Sequence, residues 1–352
     1  MPPPLKITAI TGDINEPSAR FRVRQYISGL RKYNIQVTEA LPFVAKSGCY
    51  WYHKYPFLIQ ILPQLGTAIL RLASRVPAIL ESYKSDITWI QREFLTATST
   101  TEALTKKPRL FDIDDAIWLR LKFTSGFAKR IVRKMDGIIC GNEWIADYFS
   151  DCNVPIWIIP TGVDTNRWRP AFSLLQNNFY LGWIGTAGNY QYLYDIEPAL
   201  FAFFSNFPSA KLLICSDCKP RFSNLSQKNI HYIRWSKDNE VKAVQQMNVG
   251  LMPLRDNDWE KGKCSFKMLL YMSTGIPVIV SPVGMNKEIL KIDTIGFGPA
   301  NNLEWHDALT TLYENINIRN QMGVRARQVV KEYYSLNKII PQLSNIFYEI
   351  AS

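Results

Sequence analysis

The sequence has 352 residues, of which 47% are hydrophobic and 20% are charged, and its formal net charge is +11. This hydrophobic share excludes an intrinsically disordered chain, and the length predicts two domains of ordinary size. No stretch of about 18 residues lacks charged or strongly polar side chains, so we expect no membrane-spanning helix.

The cysteine and histidine content argues against a disulfide framework or a structural zinc site. Six cysteines are present, and only Cys215 and Cys218 are close together, as a single C-x-x-C. A zinc site needs a second ligand pair, and the three histidines are not at ligand spacing. We expect reduced thiols and no bound metal. Because the N-terminus also lacks the pattern of a signal peptide, we expect a cytoplasmic location.

The positive charge is concentrated in the first half of the chain. Residues 1–170 hold 23 Lys and Arg against 15 Asp and Glu, a net +8, whereas residues 171–352 hold 18 against 15, a net +3. This asymmetry predicts an anionic partner, such as a phosphorylated substrate or an acidic lipid surface. No known nucleic-acid-binding module is recognisable, so we expect no nucleic-acid partner.

Short apolar runs alternate with helical patterns along the whole chain. Continuous apolar runs are typical of strands buried on both faces of a parallel sheet. The predicted strands are Lys6–Thr11, Ile35–Leu41, Ile87–Gln91, Arg109–Ile113, Gly137–Cys140, Ile156–Pro160, Tyr180–Ile184, Lys211–Cys215, His231–Arg234, Val249–Met252, Pro277–Val280 and Thr294–Phe297. Helical patterns lie between them, at Phe21–Lys32, Ser125–Met135, Glu143–Phe149, Ile196–Asn206, Asn239–Met247 and Phe266–Ser273.

This alternation predicts an α/β protein with two Rossmann-like, doubly wound domains that face each other across a cleft. A polar, proline-containing run at 164–175 marks the hinge. Residues 50–82 differ from the rest: they are apolar, interrupted by prolines, and carry Arg71 and Arg75 one helical turn apart. Such a stretch forms either a core-packing helix with a solvated basic face or an amphipathic helix in peripheral contact with a membrane.

Ligands of parallel sheets bind beyond the carboxyl ends of the strands, so the strand–helix junctions are the candidate sites. The first junction contains Gly12, where a tight turn is expected, and Ser18, which we expect to cap the following helix. Arg20 and Arg24 follow four residues apart, and we expect them on one face, directed towards a substrate phosphate.

Three carboxylates, those of Asp112, Asp114 and Asp115, follow the fourth predicted strand. They are able to bind a divalent cation, accept hydrogen bonds from sugar hydroxyls, act as a general base or cap a helix.

A glycine-rich turn, Gly182–Gly188, follows the seventh strand, and its backbone amides are suited to a phosphate. Its spacing is G-x-x-G-x-x-G, an irregular dinucleotide fingerprint, with Asp217 as the ribose-binding acid of that alternative.

The most informative junction reads WEKGKCSFKMLLYMSTGIPVIVSPVG and spans residues 259–284. The pattern predicts a helix that begins near Ser265 and ends before Gly275. Lys263 and Lys267 flank its N-terminus, where free amides and the helix dipole already attract an anion. Cations at this position are electrostatically unfavourable unless an anion binds, so the pattern predicts a diphosphate site.

This block resembles the donor-binding segment of the family 4 glycosyltransferases of the GT-B type, in the branch with K-x-x-x-K-x-x-x-Y-M-x-x-G-x-P-V. Other segments match in order along nearly the whole chain. They are Ser18-x-Arg20-x-Arg22, Asp112-x-Asp114-Asp115-Ala-Ile-Trp118, Gly141-Asn142-Glu143, Ile159-Pro-Thr-Gly-Val-Asp-Thr165, Gly182-Trp-Ile-Gly185-Thr and Gly250-Leu-Met-Pro253-Leu.

The resemblance implies an acceptor-side domain at 1–168, a domain at 169–331 that binds a nucleotide-sugar donor, and a helix at 332–352 that returns to the first domain. It implies retaining transfer of a hexose-like sugar to a polysaccharide, glycolipid or other glycan acceptor, with no metal and with the nucleotide-sugar as co-substrate. The residue roles carried over place Lys263 and Lys267 at the diphosphate, and Asp114 or Asp115 at the transferred sugar. Further donor-binding residues are Gly185, Thr186, Trp235, Ser265, Phe266 and Glu288, and the acceptor side has Gly12, Ser18, Arg20 and Arg24.

The chain departs from the family pattern at the paired glutamates. Aligned on Gly275-x-Pro277, the E-x7-E positions hold Gly262 and Leu270, and the second glutamate of the family normally holds the ribose. The Arg and Lys that follow the C-domain glycine-rich strand are also absent. Two alternatives therefore stay open: a non-catalytic, transferase-like binding partner and an NAD-dependent oxidoreductase.

Overall fold

The computed structural model describes residues 2–14, 16–44, 66–120, 126–171 and 178–352. The chain divides into two compact units, one of Met1–Gly162 with Leu336–Ser352 and one of Val163–Ser335. The expected boundary at 168 therefore lies six residues after the first junction, and the one at 331 lies four residues before the second.

Each unit is built on one six-stranded sheet in which all the strands are parallel. In the first unit the strand order is β2-β1-β3-β4-β5-β6. These strands are β1 (Leu5–Ile10), β2 (Ile35–Ala40), β3 (Ile87–Gln91), β4 (Arg109–Ile113), β5 (Gly137–Cys140) and β6 (Ile156–Ile158). The order changes direction between β1 and β3, and such a switch point is where parallel sheets bind ligands.

The second sheet has the order β12-β11-β10-β7-β8-β9 and changes direction between β7 and β10. Its strands are β7 (Tyr180–Ile184), β8 (Lys211–Ser216), β9 (Ile230–Arg234), β10 (Val249–Met252), β11 (Val278–Val280) and β12 (Gly296–Phe297). The twelve predicted strands are all present, and the predicted α/β class with two doubly wound parallel sheets is confirmed.

Helices cover both faces of the sheets. In the first unit they are α1 (Pro17–Ala19), α2 (Gln25–Leu30), α3 (residues 66–73), α4 (Val76–Ser82), α5 (Phe127–Val132), α6 (Glu143–Phe149) and α15 (Leu336–Ala351). In the second unit they are α7 (Tyr190–Asp195), α8 (Glu197–Asn206), α9 (Glu240–Gln245), α10 (Asp258–Lys261), α11 (Phe266–Ser273), α12 (Met285–Leu290), α13 (Asn302–Glu314) and α14 (Ile316–Val329). Arg20–Arg24 and Val330–Tyr334 are π-helical turns.

The final helix, α15, belongs to the core of the first unit. Its buried residues Ile339, Leu343 and Phe347 join the apolar cluster formed by β1, β3 and α2. The ring of Phe347 meets the ring of Trp89 edge-on, with centroids 5.1 Å apart. The strongly amphipathic pattern of the last residues of the chain is therefore explained by packing on this unit.

The predicted amphipathic stretch at 50–82 falls partly outside the described residues, because 45–65 are not described. From residue 66 it forms two helices, α3 and α4, separated at Ser74 and Arg75. The expected basic face is wrong for Arg75, which is buried and donates to the carbonyl of Thr11 at 2.5 Å. Among the helices of the described residues, none is both long and apolar enough to span a bilayer.

Candidate functional site

At the switch point of the second sheet, the turn after β7 lies against Lys267. A Cβ atom at Gly185 would stand 2.8 Å from Cε of Lys267 and 2.7 Å from the ring of Trp183, so a larger residue would displace the end of the lysine side chain or the ring. Thr186 is exposed, and its hydroxyl accepts a hydrogen bond from the Asn189 amide at 3.0 Å. The structure thus brings together Gly185 and Lys267, which are 82 residues apart.

Helix α11 spans Phe266–Ser273, the bounds that the sequence pattern predicts. Ser265 is its N-terminal cap in a left-handed conformation, with φ 50°, and the serine side chain makes no capping hydrogen bond. The helix ends as predicted before Gly275, whose φ of 75° suits glycine. The amides of the first helical turn have no partner within the helix, so the N-terminus carries a partial positive charge beside Lys267.

The two lysines of this junction have different surroundings. The ammonium of Lys267 lies 5.4 Å above the ring of Trp183. The ammonium of Lys263 lies 3.4 Å from Oε2 of Glu260, and 5.5 and 5.9 Å from the rings of Trp259 and Tyr192. The expectation that only an anionic ligand balances these lysines is therefore wrong for Lys263, which has a carboxylate partner.

Glu260 is a residue of this region that sequence analysis missed. It is 2% exposed, and its Oε1 accepts a hydrogen bond from the hydroxyl of Tyr192. Burial, together with this bond, raises the pKa of Tyr192 above its ordinary range, which keeps the phenol protonated as the donor. The Asn257-x-x-Glu260 spacing, in which the asparagine accepts from the Glu260 amide at 3.1 Å, is the local signal that indicates this turn.

Trp235 and Glu288 follow strands on opposite sides of the switch point between β7 and β10. Trp235 follows β9, two strands from β7, is 42% exposed, and donates its indole N–H to Glu240 at 3.0 Å. Glu288 is exposed on α12, which follows β11 on the other side of the sheet. Burial and the carboxylate of Glu288 together raise the pKa of Tyr334 to about 12.

Asp217, the acid considered for ribose binding, lies directly after β8 and bonds to the turn after β7. Its Oδ1 accepts from the amide of Ala187 at 2.7 Å and from the hydroxyl of Ser216 at 3.0 Å. Partial burial acts to raise the pKa of Asp217, but these hydrogen bonds outweigh it and lower the pKa below its ordinary value. Asp217 thereby ties the end of β8 to the turn that follows Gly185.

In the first unit, Asp112 is buried in an ion pair rather than offered to a ligand. Its Oδ1 lies 2.8 Å from Nε of Arg22, and its Oδ2 accepts the indole N–H of Trp89 at 3.2 Å. Burial alone would lower the pKa of Arg22, but the charge of Asp112 raises it above the ordinary value, so the arginine stays charged. Arg22 also donates to the carbonyl of Ile159 at 2.7 Å, joining the ends of β4 and β6.

Asp114 and Asp115 share a single arginine, which sequence analysis did not identify. Arg92 donates from Nε to Asp114 at 2.8 Å and from Nη2 to Asp115 at 2.8 Å. Its Nη2 also lies 2.7 Å from Asp114. The side chains of the two aspartates are 15% and 24% exposed, so the pair lies near the surface at the end of β4.

The predicted acceptor-side residues are only partly as expected. Ser18 does not cap a helix: it is buried inside α1, and Glu16 occupies the capping position without a side-chain bond. Arg24 is not directed at a substrate phosphate, since it pairs with Glu39 at 2.8 Å and donates to the carbonyl of Asp13 at 2.6 Å. The guanidinium of Arg20 lies 4.6 Å from the ring of Phe21.

Gly12 has a steric role, because a Cβ atom there would overlap the carboxylate of Glu16.

Across the described residues, no group of three or more His, Cys, Asp or Glu side chains could hold a metal ion. The first unit therefore presents guanidinium–carboxylate pairs at its strand ends, whereas the second presents a lysine beside a glycine and a helix N-terminus.

Residues 179–315 match the family model described as glycosyl transferases group 1. Solved structures with the same architecture include sucrose-phosphate synthase from Thermosynechococcus elongatus, with 14% identity, 98% coverage of each chain and a TM-score of 0.70. They also include Anabaena HepE in complex with UDP and glucose, with 12% identity, coverage of 98% of this chain and 100% of that one, and a TM-score of 0.66.

A glycosyltransferase from Rickettsia africae has 12% identity, coverage of 99% of this chain and 98% of that one, and a TM-score of 0.62. No curated protein sequence matches the chain. Identities this low show the fold alone, while the family match lies within the second unit. The chain has the GT-B fold, and residues 179–315 of its second unit match the glycosyl transferases group 1 model.

Proposed function

We propose that this protein is a glycosyltransferase that moves a sugar from a nucleotide-sugar, of which a UDP-sugar is the first candidate, to a hydroxyl group of a glycan acceptor. The observation that carries the proposal is the position of Lys267, against Gly185 and in the first turn of α11, at the switch point of the second sheet. The family match supports it, as does the UDP named with HepE.

The proposed donor site is electrostatic. The negative charge that develops on the leaving diphosphate would be stabilised by the ammonium of Lys267 and by the amides at the start of α11. Lys263 would add a second cation, although Glu260 already offsets part of its charge. Stabilisation by fixed lysine and amide groups needs no metal ion, so we propose a metal-independent reaction.

We propose transfer with retention of configuration. The bond between the anomeric carbon and the diphosphate oxygen breaks, the acceptor oxygen bonds to the same face of the anomeric carbon, and the hydroxyl proton passes to the departing phosphate oxygen. No protein base is then required. Asp114 and Asp115 would hold sugar hydroxyls, since carboxylate oxygens accept hydrogen bonds from them.

The acceptor that we propose is a polysaccharide or a glycolipid, with the protein in peripheral contact with a membrane. Ile69, Leu70, Leu80 and Tyr83 on and after α3 and α4 are 59–63% exposed, and such apolar side chains are suited to a lipid surface. The double variant Leu70→Ser/Leu80→Ser should co-sediment less with anionic vesicles, and unchanged binding would contradict this contact. The cytoplasmic location stays a prediction.

The experiment that tests the proposed function is a ligand panel followed by a turnover assay. Melting temperature is measured with UDP-, GDP-, dTDP- and ADP-sugars, the free nucleotides and NAD(H). A ligand at 100 times its Kd stabilises a protein by about 2.7 kcal/mol, which is a shift of a few degrees.

A selective shift with one nucleotide-sugar, together with release of its nucleotide, is the expected result. A shift with NAD(H) alone would favour an oxidoreductase. A shift in melting temperature without turnover would favour a non-catalytic binding partner. The sequence argument for that alternative is that Gly262 and Leu270 stand where the family has glutamates.

A further inference from the structure

Arg92 has an unfavourable backbone conformation at the end of β3. Its φ is 63°, in the left-handed region that residues with a Cβ rarely adopt because the Cβ atom comes too close to the following carbonyl oxygen. Its amide donates to the carbonyl of Asp112 at 3.0 Å, which fixes this conformation against the neighbouring strand β4. Strain of this kind persists where the surroundings require one side-chain direction, and it is concentrated at functional sites.

The direction adopted brings the guanidinium of Arg92 between two carboxylates. Three contacts of 2.7–2.8 Å join it to Asp114 and Asp115, and only 10% of the arginine side chain is exposed. The planar fork of a guanidinium fixes the orientation of a carboxylate, which an ammonium does not do. Burial by itself would lower the pKa of Arg92, but Asp114, Asp115 and Glu16 raise it, so the side chain stays charged.

The charges around this pair favour hydroxyl groups over phosphate. One guanidinium faces two aspartates, and the adjacent Glu93 has its own partner in Arg120 at 3.1 Å. Glu16 adds another negative charge near Arg92. Arg75 lies near Glu16 and Glu93, so the groups named here are four carboxylates and three guanidiniums, a net negative set, although the first half of the chain is basic overall. Oriented carboxylates with net negative charge accept hydrogen bonds from hydroxyls and repel anions.

We propose that Arg92 is a positioning residue, which holds Asp114 and Asp115 as a fixed pair of hydrogen-bond acceptors for the hydroxyls of an uncharged sugar. This inference rests on the proposed glycosyltransferase function and adds two things to it. It names the residue that orients the aspartates, and it specifies that the sugar group bound at this junction carries no phosphate or carboxylate.

The test replaces Arg92 by glycine, which accepts a left-handed φ and so removes the side chain without backbone strain. The matched control is Asn153→Gly, because Asn153 has a φ of 54° at a turn after α6. Melting temperature, Kd for UDP, and kcat and KM for nucleotide-sugar turnover are measured for both variants. Added guanidinium chloride, far below denaturing concentrations and matched with sodium chloride, probes chemical rescue of Arg92→Gly.

We expect Arg92→Gly to keep the Kd for UDP, to melt at a lower temperature because Asp114 and Asp115 lose their counter-charge, and to lose about 100-fold in kcat, as a misplaced group can. Guanidinium should restore several-fold activity to this variant and none to Asn153→Gly. Arg92→Lys, which keeps the charge but not the fork, separates stability from positioning: it should melt closer to the wild type and still lose at least tenfold in kcat.

A kcat within twofold of the wild-type value in Arg92→Gly, or an equal gain from sodium chloride, would overturn the role of Arg92 alone. Turnover that prefers phosphorylated acceptors would overturn the hydroxyl assignment. A wild-type protein that turns over no nucleotide-sugar would instead contradict the proposed function, so the two failures are distinguishable.

Discussion

Both sheets have a switch point, but the charged side chains near their strand ends have different partners in the two units. In the first unit, Arg22, Arg24 and Arg92 each bind carboxylates at 2.7–2.8 Å. In the second unit, Lys267 lies over Trp183, and Lys263 lies near two rings with one carboxylate at 3.4 Å.

This difference separates two ways of recognising a ligand. A guanidinium that is bound to carboxylates fixes hydrogen-bond acceptors, and its own charge is already compensated. A cation–π contact with an aromatic ring stabilises an ammonium by about 0.5–2 kcal/mol and does not fix the orientation of a carboxylate. The first arrangement suits hydroxyl groups, and the second suits a diphosphate.

The largest expected effect is on the stability of the first unit. Asp112→Asn should lower the free energy of unfolding by about 3–5 kcal/mol, because it leaves the charge of Arg22 buried without its counter-charge. The control is Asp195→Asn in the second unit, whose partner Arg255 is half exposed; it should lose less than about 1 kcal/mol. Urea denaturation measures both, and equal losses would contradict the distinction between buried and exposed pairs.

Lys267→Ala should have the largest effect on catalysis in the second unit. We expect turnover to fall by about 10²–10³-fold, the range seen when one preorganised charge-stabilising group is removed, with the fold intact. Lys331→Ala, an exposed lysine at the end of the second unit, is the control and should be neutral. Initial rates and melting temperature are the measurements. Unchanged turnover in Lys267→Ala would remove this lysine from the diphosphate site.

A pair of glycines in one turn gives a smaller and sharper test. Gly185→Ala would push the Lys267 side chain away, whereas a Cβ atom at Gly188 meets nothing within 4 Å. We expect Gly185→Ala to weaken UDP binding by about tenfold, which is 1.4 kcal/mol, and Gly188→Ala to leave it unchanged. Equal affinities of the two variants, measured by calorimetry, would show that the position of Lys267 does not matter.

The smallest expected effect concerns Asp217 and depends on pH. Because the folded-state pKa of Asp217 is lowered, the charged carboxylate stabilises the fold above the ordinary carboxyl pKa, and this contribution disappears as the pH falls through the lowered value. Because Asp217 is exposed, solvent screening keeps the effect small: Asp217→Asn should cost at most about 0.5 kcal/mol at neutral pH and nothing in strong acid. The difference in melting temperature between wild type and variant, measured against pH, tests this; a constant difference would contradict it.

The sheets could be predicted from the sequence because strands buried on both faces form continuous apolar runs. The bounds of β3, β4, β5, β7 and β10 are those predicted. The helix after β1 was less predictable. It begins at Pro17 rather than Phe21, and it includes a π-helical turn whose hydrogen bonds have no distinct apolar period.

The site was predictable where its signal is local, and not where the partners are distant in sequence. Lys267 and the start of α11 follow from a helix N-terminus with nearby cations. By contrast, Arg92 is 22 residues from Asp114, and Glu39 is 15 residues from Arg24. No local spacing in the sequence indicates these two pairs. As a result, Arg24 and Ser18 were predicted as more available to a ligand than the packing allows.

The central claim is that the second unit binds a nucleoside diphosphate through Lys267. Calorimetric titration of UDP into the wild-type protein, Lys267→Ala and Lys331→Ala tests it most directly. We predict one site in the wild type and in Lys331→Ala, with binding at least tenfold weaker in Lys267→Ala and weaker in all three proteins at high salt. Equal affinity of Lys267→Ala and the wild type would contradict it.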